Sequence, residues 1–124
     1  MNGWLVASGA SGFMAVALGA FGAHGLASRL GALAEGERRL GWWETAAHYH
    51  LLHALALGLV ALLSLRFPQV RVSGYAFLLG TLLFSGSLYV MALGGPRWLG
   101  AVTPLGGLSF LAGWAALAWA GLAR

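Results

Sequence analysis

Apolar residues run along this chain in four long stretches, separated by two short polar turns and one longer polar connection. The stretches cover residues 3–26, 45–65, 72–95 and 99–123. Each supplies the roughly 20 mostly apolar residues that a spanning helix needs. Histidines are the only residues able to carry charge near neutral pH that interrupt them. Backbone polar groups at bilayer depth have no water to bond, so each stretch must satisfy its own as a helix. The pattern therefore predicts an all-α membrane protein over residues 1–124: one domain of four antiparallel transmembrane helices in a bundle. The first stretch lacks a basic flank, and its apolar run exceeds the core of a signal peptide, so it is expected to be a retained helix.

The connections are uneven. Arg66-Phe67-Pro68-Gln69-Val70-Arg71 and Gly94-Gly95-Pro96-Arg97 are tight turns in which Pro68 and Pro96 are expected to stop helices. Residues 27–42 form the long connection and, with Glu44 beside them, hold all three acids. Leu26, Leu30, Leu33 and Leu40 recur there at helical spacing, with most charges on other faces. This predicts a short amphipathic segment of one or two helical turns on the membrane surface, with Glu35 pairing to Arg38 or Arg39.

Composition narrows the function. Charged residues make up 8% of the chain, against about 25% in soluble domains. The +4 net charge comes from seven scattered arginines, which excludes a nucleic-acid groove because that needs a clustered basic face. The chain has no cysteine, so disulfides, thiolate metal sites and cysteine nucleophiles are out. The arginines divide almost evenly between the two membrane faces and do not fix orientation. The compact charges Arg66 and Arg71 favour both termini in the cytoplasm.

Ala7, Ser11, Ala15, Gly19 and Ala23 form a small-residue stripe along the first span. Ala112, Ala116 and Ala120, with Ser109, Gly113 and Gly121 beside them, do the same on the fourth. Such stripes let helices approach closely in lipid. They predict contacts inside the bundle, and a homo-oligomer interface is the second use open to them. Trp42, Trp43, Trp98, Trp4 and Trp119 are placed as interfacial anchors, and Trp114 as bundle packing.

Chain reversal at each turn gathers the polar residues into one leaflet: His24, Glu44, His48, Tyr49, His50, His53, Ser85, Ser87, Tyr89 and Thr103. At about 100° per residue, Tyr49 and His53 share a face of the second span. Ionisable groups at depth usually face the protein interior, which singles out His53. Zinc would need three or four ligands with a base nearby; His24, His50 and His53 offer three without one. Haem would need two opposed histidines, such as His24 with His53 or His50. Ser85-Gly86-Ser87 has no intramembrane acid and is not a nucleophile elbow. No metal, cofactor or catalytic residue is therefore assigned, and the chain is expected not to be an enzyme. Two classes stay open. One is a binding or transport module for a lipid headgroup, small molecule, quinone or proton; the other is a structural or assembly partner of a larger membrane complex.

The motifs Gly19-Ala20-Phe21-Gly22-Ala23-His24, Trp43-Glu44-Thr45-Ala46-Ala47-His48-Tyr49, Leu83-Phe84-Ser85-Gly86-Ser87-Leu88-Tyr89 and Thr103-Pro104-Leu105-Gly106-Gly107 cover all four spans in order. Together they resemble the YgdD-like family of small four-span membrane proteins. The resemblance implies a multi-pass protein of the bacterial inner membrane, with relatives in mitochondria, and implies no reaction. It carries His24, Thr45, Tyr49, His53, Ser85, Ser87, Tyr89, Thr103, Pro104, Gly106 and Gly107, and leaves out His48 and His50.

The ligand-binding candidates are His24, Tyr49, His53, Ser85, Ser87, Tyr89 and Thr103, with membrane lipids as the surrounding partners. They are expected to line one polar cavity whose mouth the 27–42 segment covers. Tyr49 and His53 should face Tyr89 there, His24 should close a wall, and His48 and His50 should point outward.

Overall fold

A computed structural model describes residues 1–123. Arg124 lies outside the described residues. Four helices among them are long and apolar enough to cross a membrane: α1 (Gly3–Leu30), α2 (Gly36–Leu63), α3 (Pro68–Ala92) and α4 (Arg97–Leu122). The all-helical four-span architecture read from hydropathy is the one observed.

Helix ends differ from the apolar limits for a physical reason. Hydropathy marks where lipid ends, whereas a helix continues into water if its residues tolerate it. α2 has 28 residues, about 42 Å at 1.5 Å per residue, longer than the roughly 30 Å hydrocarbon core. The helical turns expected between residues 27 and 42 exist, but as the end of α1 and the start of α2 rather than as a separate segment. Only residues 31–35 lie between the two helices. The turn is tight enough that a Cβ at Gly36 would overlap the Leu30 carbonyl.

Caps and prolines set the other boundaries. Asn2 caps α1, its side-chain oxygen accepting from the Leu5 amide at 3.2 Å. Pro68 and Pro96 do not end helices. Pro68 opens α3 and Pro96 precedes α4, where a missing N–H costs nothing. The α3–α4 turn runs through Gly94 at φ +97°, the left-handed region that favours glycine. Arg39 reaches across from α2 and its Nε donates to the Ala92 carbonyl at 2.8 Å, satisfying one of the open carbonyls at the α3 terminus.

The closest backbone approaches are α1 on α2, α2 on α3 and α3 on α4, and α4 side chains also reach α2 at His53. In their most apolar windows, α2 is 44% buried and α1 only 11%, so α2 and α3 are central and α1 is an outer helix. The predicted stripes are used inside the chain only in part: Ala15, Gly113 and Ala120 are buried, while Ala23, Ala112 and Gly121 are exposed, and the contacts also use neighbouring small residues. Ser8 Oγ donates to the Ala54 carbonyl at 2.8 Å. Gly12 faces Ala54, and Gly19 faces Ala47. On α4, Gly106 meets the Phe84 backbone and Gly113 the Phe77 ring so closely that a Cβ at either would overlap. Ser109 Oγ donates to the Ala76 carbonyl at 2.7 Å. The central core consists of Ala56, Leu57, Val60, Val70, Phe77, Phe110 and Ala120.

Candidate functional site

Two single π turns interrupt the helices where the family-like motifs lie: Gly22–Leu26 in α1 and Thr81–Ser85 in α3. A π turn carries one residue more than an α turn and is common at functional sites. Both lie against the first half of α2. At Gly22 the side-chain space is taken by the Trp43 indole, whose Nε1 donates to the Leu18 carbonyl at 2.7 Å. At the second π turn, Ser85 Oγ donates to the Ala46 carbonyl at 2.8 Å. Trp43 is thus 3% exposed and locks α2 to α1, which corrects its placement as an interfacial anchor. An indole N–H inside a bundle finds a carbonyl because lipid offers none.

His53 is buried and its chemistry is fixed by its partners. One ring nitrogen, Nδ1, lies 2.8 Å from the Tyr49 carbonyl. The other, Nε2, lies 3.1 Å from the Trp114 indole nitrogen. A carbonyl only accepts and an indole N–H only donates. His53 is therefore neutral, with its proton on Nδ1 and its Nε2 lone pair in use. The ring stacks on Phe110 at 3.6 Å between centroids. Metal ligation or proton transfer through Nε2 would first have to break the bond to Trp114.

His50 lies on the same buried side of α2, contrary to the expected outward orientation. Its Nδ1 is 2.9 Å from the Tyr89 hydroxyl, and Tyr89 stands edge-on to Trp43 at 4.6 Å. The reason lies in spacing: Trp43, Ala46, His50, His53, Leu57 and Val60 recur at steps of three and four and form the buried seam of α2. Tyr49 is off that seam. It is 39% exposed, packs on Phe84 at 4.6 Å, and does not pair with Tyr89 as expected. His24 is exposed on α1 and closes no wall. His48 is exposed, as expected.

The remaining candidates pair with one another. Ser87 Oγ and Thr103 Oγ1 are 2.5 Å apart, and each also reaches a carbonyl of its own chain segment, Phe84 at 3.0 Å and Leu99 at 3.3 Å. The expected single cavity is not formed: His50, His53, Ser85, Ser87, Tyr89 and Thr103 are held in separate bonded contacts, and His24, Glu44, His48 and Tyr49 are exposed. No cluster of three His, Asp or Glu side chains placed to hold a metal occurs among the described residues.

One open groove lies at the end of the bundle that carries the 31–35 turn. It has a volume of about 390 Å³ and is lined by Trp42, Leu88, Met91, Arg97, Gly100, Thr103 and Pro104. Its floor is apolar and its rim carries Arg97, whose guanidinium lies 5.0 Å over the Trp42 ring. Arg97 Nη2 is also ion-paired with Glu35 of the 31–35 turn. Thr103 is the only predicted site residue in the groove. Arg97 and Trp42 were missed as binding candidates, although an arginine and a tryptophan at one face signal headgroup depth. Their juxtaposition depends on two separate turns and has no local sequence signature.

The profile of a protein family of unknown function, DUF423, matches residues 18–107. The chain is similar to the UPF0382 inner membrane protein YgdD of Escherichia coli (strain K12), 48% identical over 113 residues, which cover 90% of this chain and 82% of that protein. It is similar to a UPF0382 membrane protein of Haemophilus influenzae, 44% identical over 95% of this chain and 92% of that one. With the UPF0382 membrane protein YwdK of Bacillus subtilis (strain 168) it shares 38% identity over 92% and 91% of the two chains. No solved structure matches.

Proposed function

Because this chain belongs to the DUF423 family and is a multi-pass inner-membrane protein, we propose that it is a small lipid-binding module, holding a headgroup in the groove between Trp42, Arg97 and Thr103. The observation that carries this reading is the groove itself, with its apolar floor of Leu88 and Met91 and a cationic rim at Arg97. Apolar lining with a few placed polar groups is the usual make-up of a small-molecule site.

The buried histidine and serine groups support a binding role over a catalytic one. His53 has both ring nitrogens engaged, and Ser85 donates to a backbone carbonyl. A nucleophile needs a base within reach, whereas the Ser85 and Ser87 hydroxyls are bonded to backbone carbonyls and to Thr103. The paired groups hold α2, α3 and α4 in register beneath the groove.

The test is native mass spectrometry of the full-length protein extracted in mild detergent. A lipid mass should be retained by the wild type. It should be lost from Gly100→Leu, which fills the groove from its rim, where a Cβ would sit 3.8 Å from Met91 Sδ. Equal retention by both proteins would overturn the reading.

A second reading, a subunit of a larger membrane assembly, is supported by the sparse cover over α1. Leu5, Val6, Phe13, Met14 and Val16 are all exposed along it. Cross-linking in native membranes from a cysteine at Phe13 tests this against lipid contact alone.

A further inference from the structure

Three chain segments meet at Arg97. The guanidinium follows Pro96 at the start of α4, with the Trp42 ring of α2 against one side at 5.0 Å. The Glu35 carboxylate, from the turn between α1 and α2, is bonded to Nη2. An arginine whose guanidinium carbon lies over an aromatic ring can still offer N–H donors to a planar or tetrahedral anion. Trp42 thus positions the cation, and Glu35 occupies a donor that an incoming anion would use.

We propose that Glu35 is a built-in competitor for this site: it holds Arg97 until the phosphate of an anionic phospholipid headgroup displaces it. The inference rests on the groove reading above and adds how occupancy is controlled. The side chains of Arg97 and Glu35 are 54% and 51% exposed. Ion pairs this solvated contribute little, so the contact is readily exchanged. The displaced carboxylate has a second cation at hand, since Arg38 Nη1 lies 4.0 Å from its other oxygen. Exchange therefore leaves neither charge without a partner. The groove floor argues for a lipid rather than a free anion. Leu88, Met91 and Pro104 give an acyl-linked headgroup apolar contacts that inorganic phosphate makes no use of.

The experiment titrates full-length protein in detergent micelles with dihexanoyl-phosphatidylglycerol and, in a parallel arm, with inorganic phosphate. Wild type, Glu35→Gln, Arg97→Gln and the double variant are compared by native mass spectrometry. Glu35→Gln should tighten phosphatidylglycerol binding about two- to fivefold, the range expected for release of an exposed ion pair. Arg97→Gln should weaken it, and Glu35→Gln should have no effect in the Arg97→Gln background. If Glu35→Gln changes nothing while Arg97→Gln weakens binding, the competition is overturned and the groove reading stands. If Arg97→Gln binds as wild type does, both fall. If inorganic phosphate binds as tightly as phosphatidylglycerol, the lipid assignment is overturned.

Discussion

Trp114 donates its indole proton to His53 Nε2 at 3.1 Å, across the contact between α2 and α4. Trp114 is half in lipid, 44% exposed, yet its one polar atom is turned inward. Without His53 that N–H would face hydrocarbon, and without Trp114 the histidine would hold an unpaired lone pair.

This pairing predicts a tautomer. Nitrogen-15 NMR of histidine-labelled protein should find His53 neutral and protonated at Nδ1. A spectrum showing the proton on Nε2 would contradict the assigned partners. Trp114→Phe should lower stability by about 1 kcal/mol, the order measured for polar contacts between membrane helices, as read from unfolding in mixed micelles.

Glycines on α3 and α4 should differ sharply in tolerance. A methyl at Gly106 would overlap the Phe84 backbone, while Gly86 has nothing within 4 Å of the added carbon. Gly106→Ala should cost about 1–3 kcal/mol, as overpacking does, because a backbone cannot move aside as a flexible side chain can. Gly86→Ala should be near neutral or slightly stabilising. Thermal unfolding in detergent compares the two, and equal melting temperatures would count against the close α3–α4 approach.

The α1–α2 contact can be tested covalently, since the chain has no cysteine. A Cβ at Gly12 would sit 3.8 Å from Ala54 Cβ, and one at Gly19 would sit 3.9 Å from Ala47 Cβ. Disulfides have Cβ separations of about 3.5–4.5 Å. Gly12→Cys with Ala54→Cys should therefore oxidise to an intrachain disulfide, as should Gly19→Cys with Ala47→Cys, seen as a mobility shift on non-reducing gels. Intermolecular dimers from these pairs would instead place the α1 stripe between copies.

The Arg39 bond to the Ala92 carbonyl predicts that Arg39→Ala loosens the end of α3. Hydrogen exchange at residues 91–95 should speed up, with little change in the middle of α3. Arg39→Lys should restore the slow rate only in part, because a lysine lacks the rigid donor fork.

Hydropathy and chain reversal were enough to place the four spans and to bring His53, Ser85, Ser87, Tyr89 and Thr103 into one leaflet. They did not separate Tyr49 from His50. In a soluble helix the buried face announces itself by contrast with polar neighbours, but in a span nearly every position is apolar. The cue that remained on α2 was size and spacing: Trp43, Ala46, His50, His53 and Leu57 follow one seam, and Tyr49 lies a full residue step away from it. The π turns were illegible for a related reason. They depend on how Trp43 and Ser85 meet the backbones of neighbouring helices, and no local residue pattern marks such an encounter. The Arg97–Glu35 contact joins residues from the two polar turns of one membrane face, and only the folded chain shows that those turns touch.

The π turn at Thr81–Ser85 also bears on how the length of this helix can vary. Its extra residue is absorbed within one widened turn, so the segments on either side stay in phase as though it were not there. Deleting the lipid-facing Leu82 would let α3 close as an unbroken α-helix while Ser87 and Tyr89 keep their direction. The same deletion one turn earlier would swing everything beyond it by about 100° and turn the Ser87–Thr103 pair apart. One site in α3 is thus open to gain or loss of a residue, and the rest of the helix is closed to it.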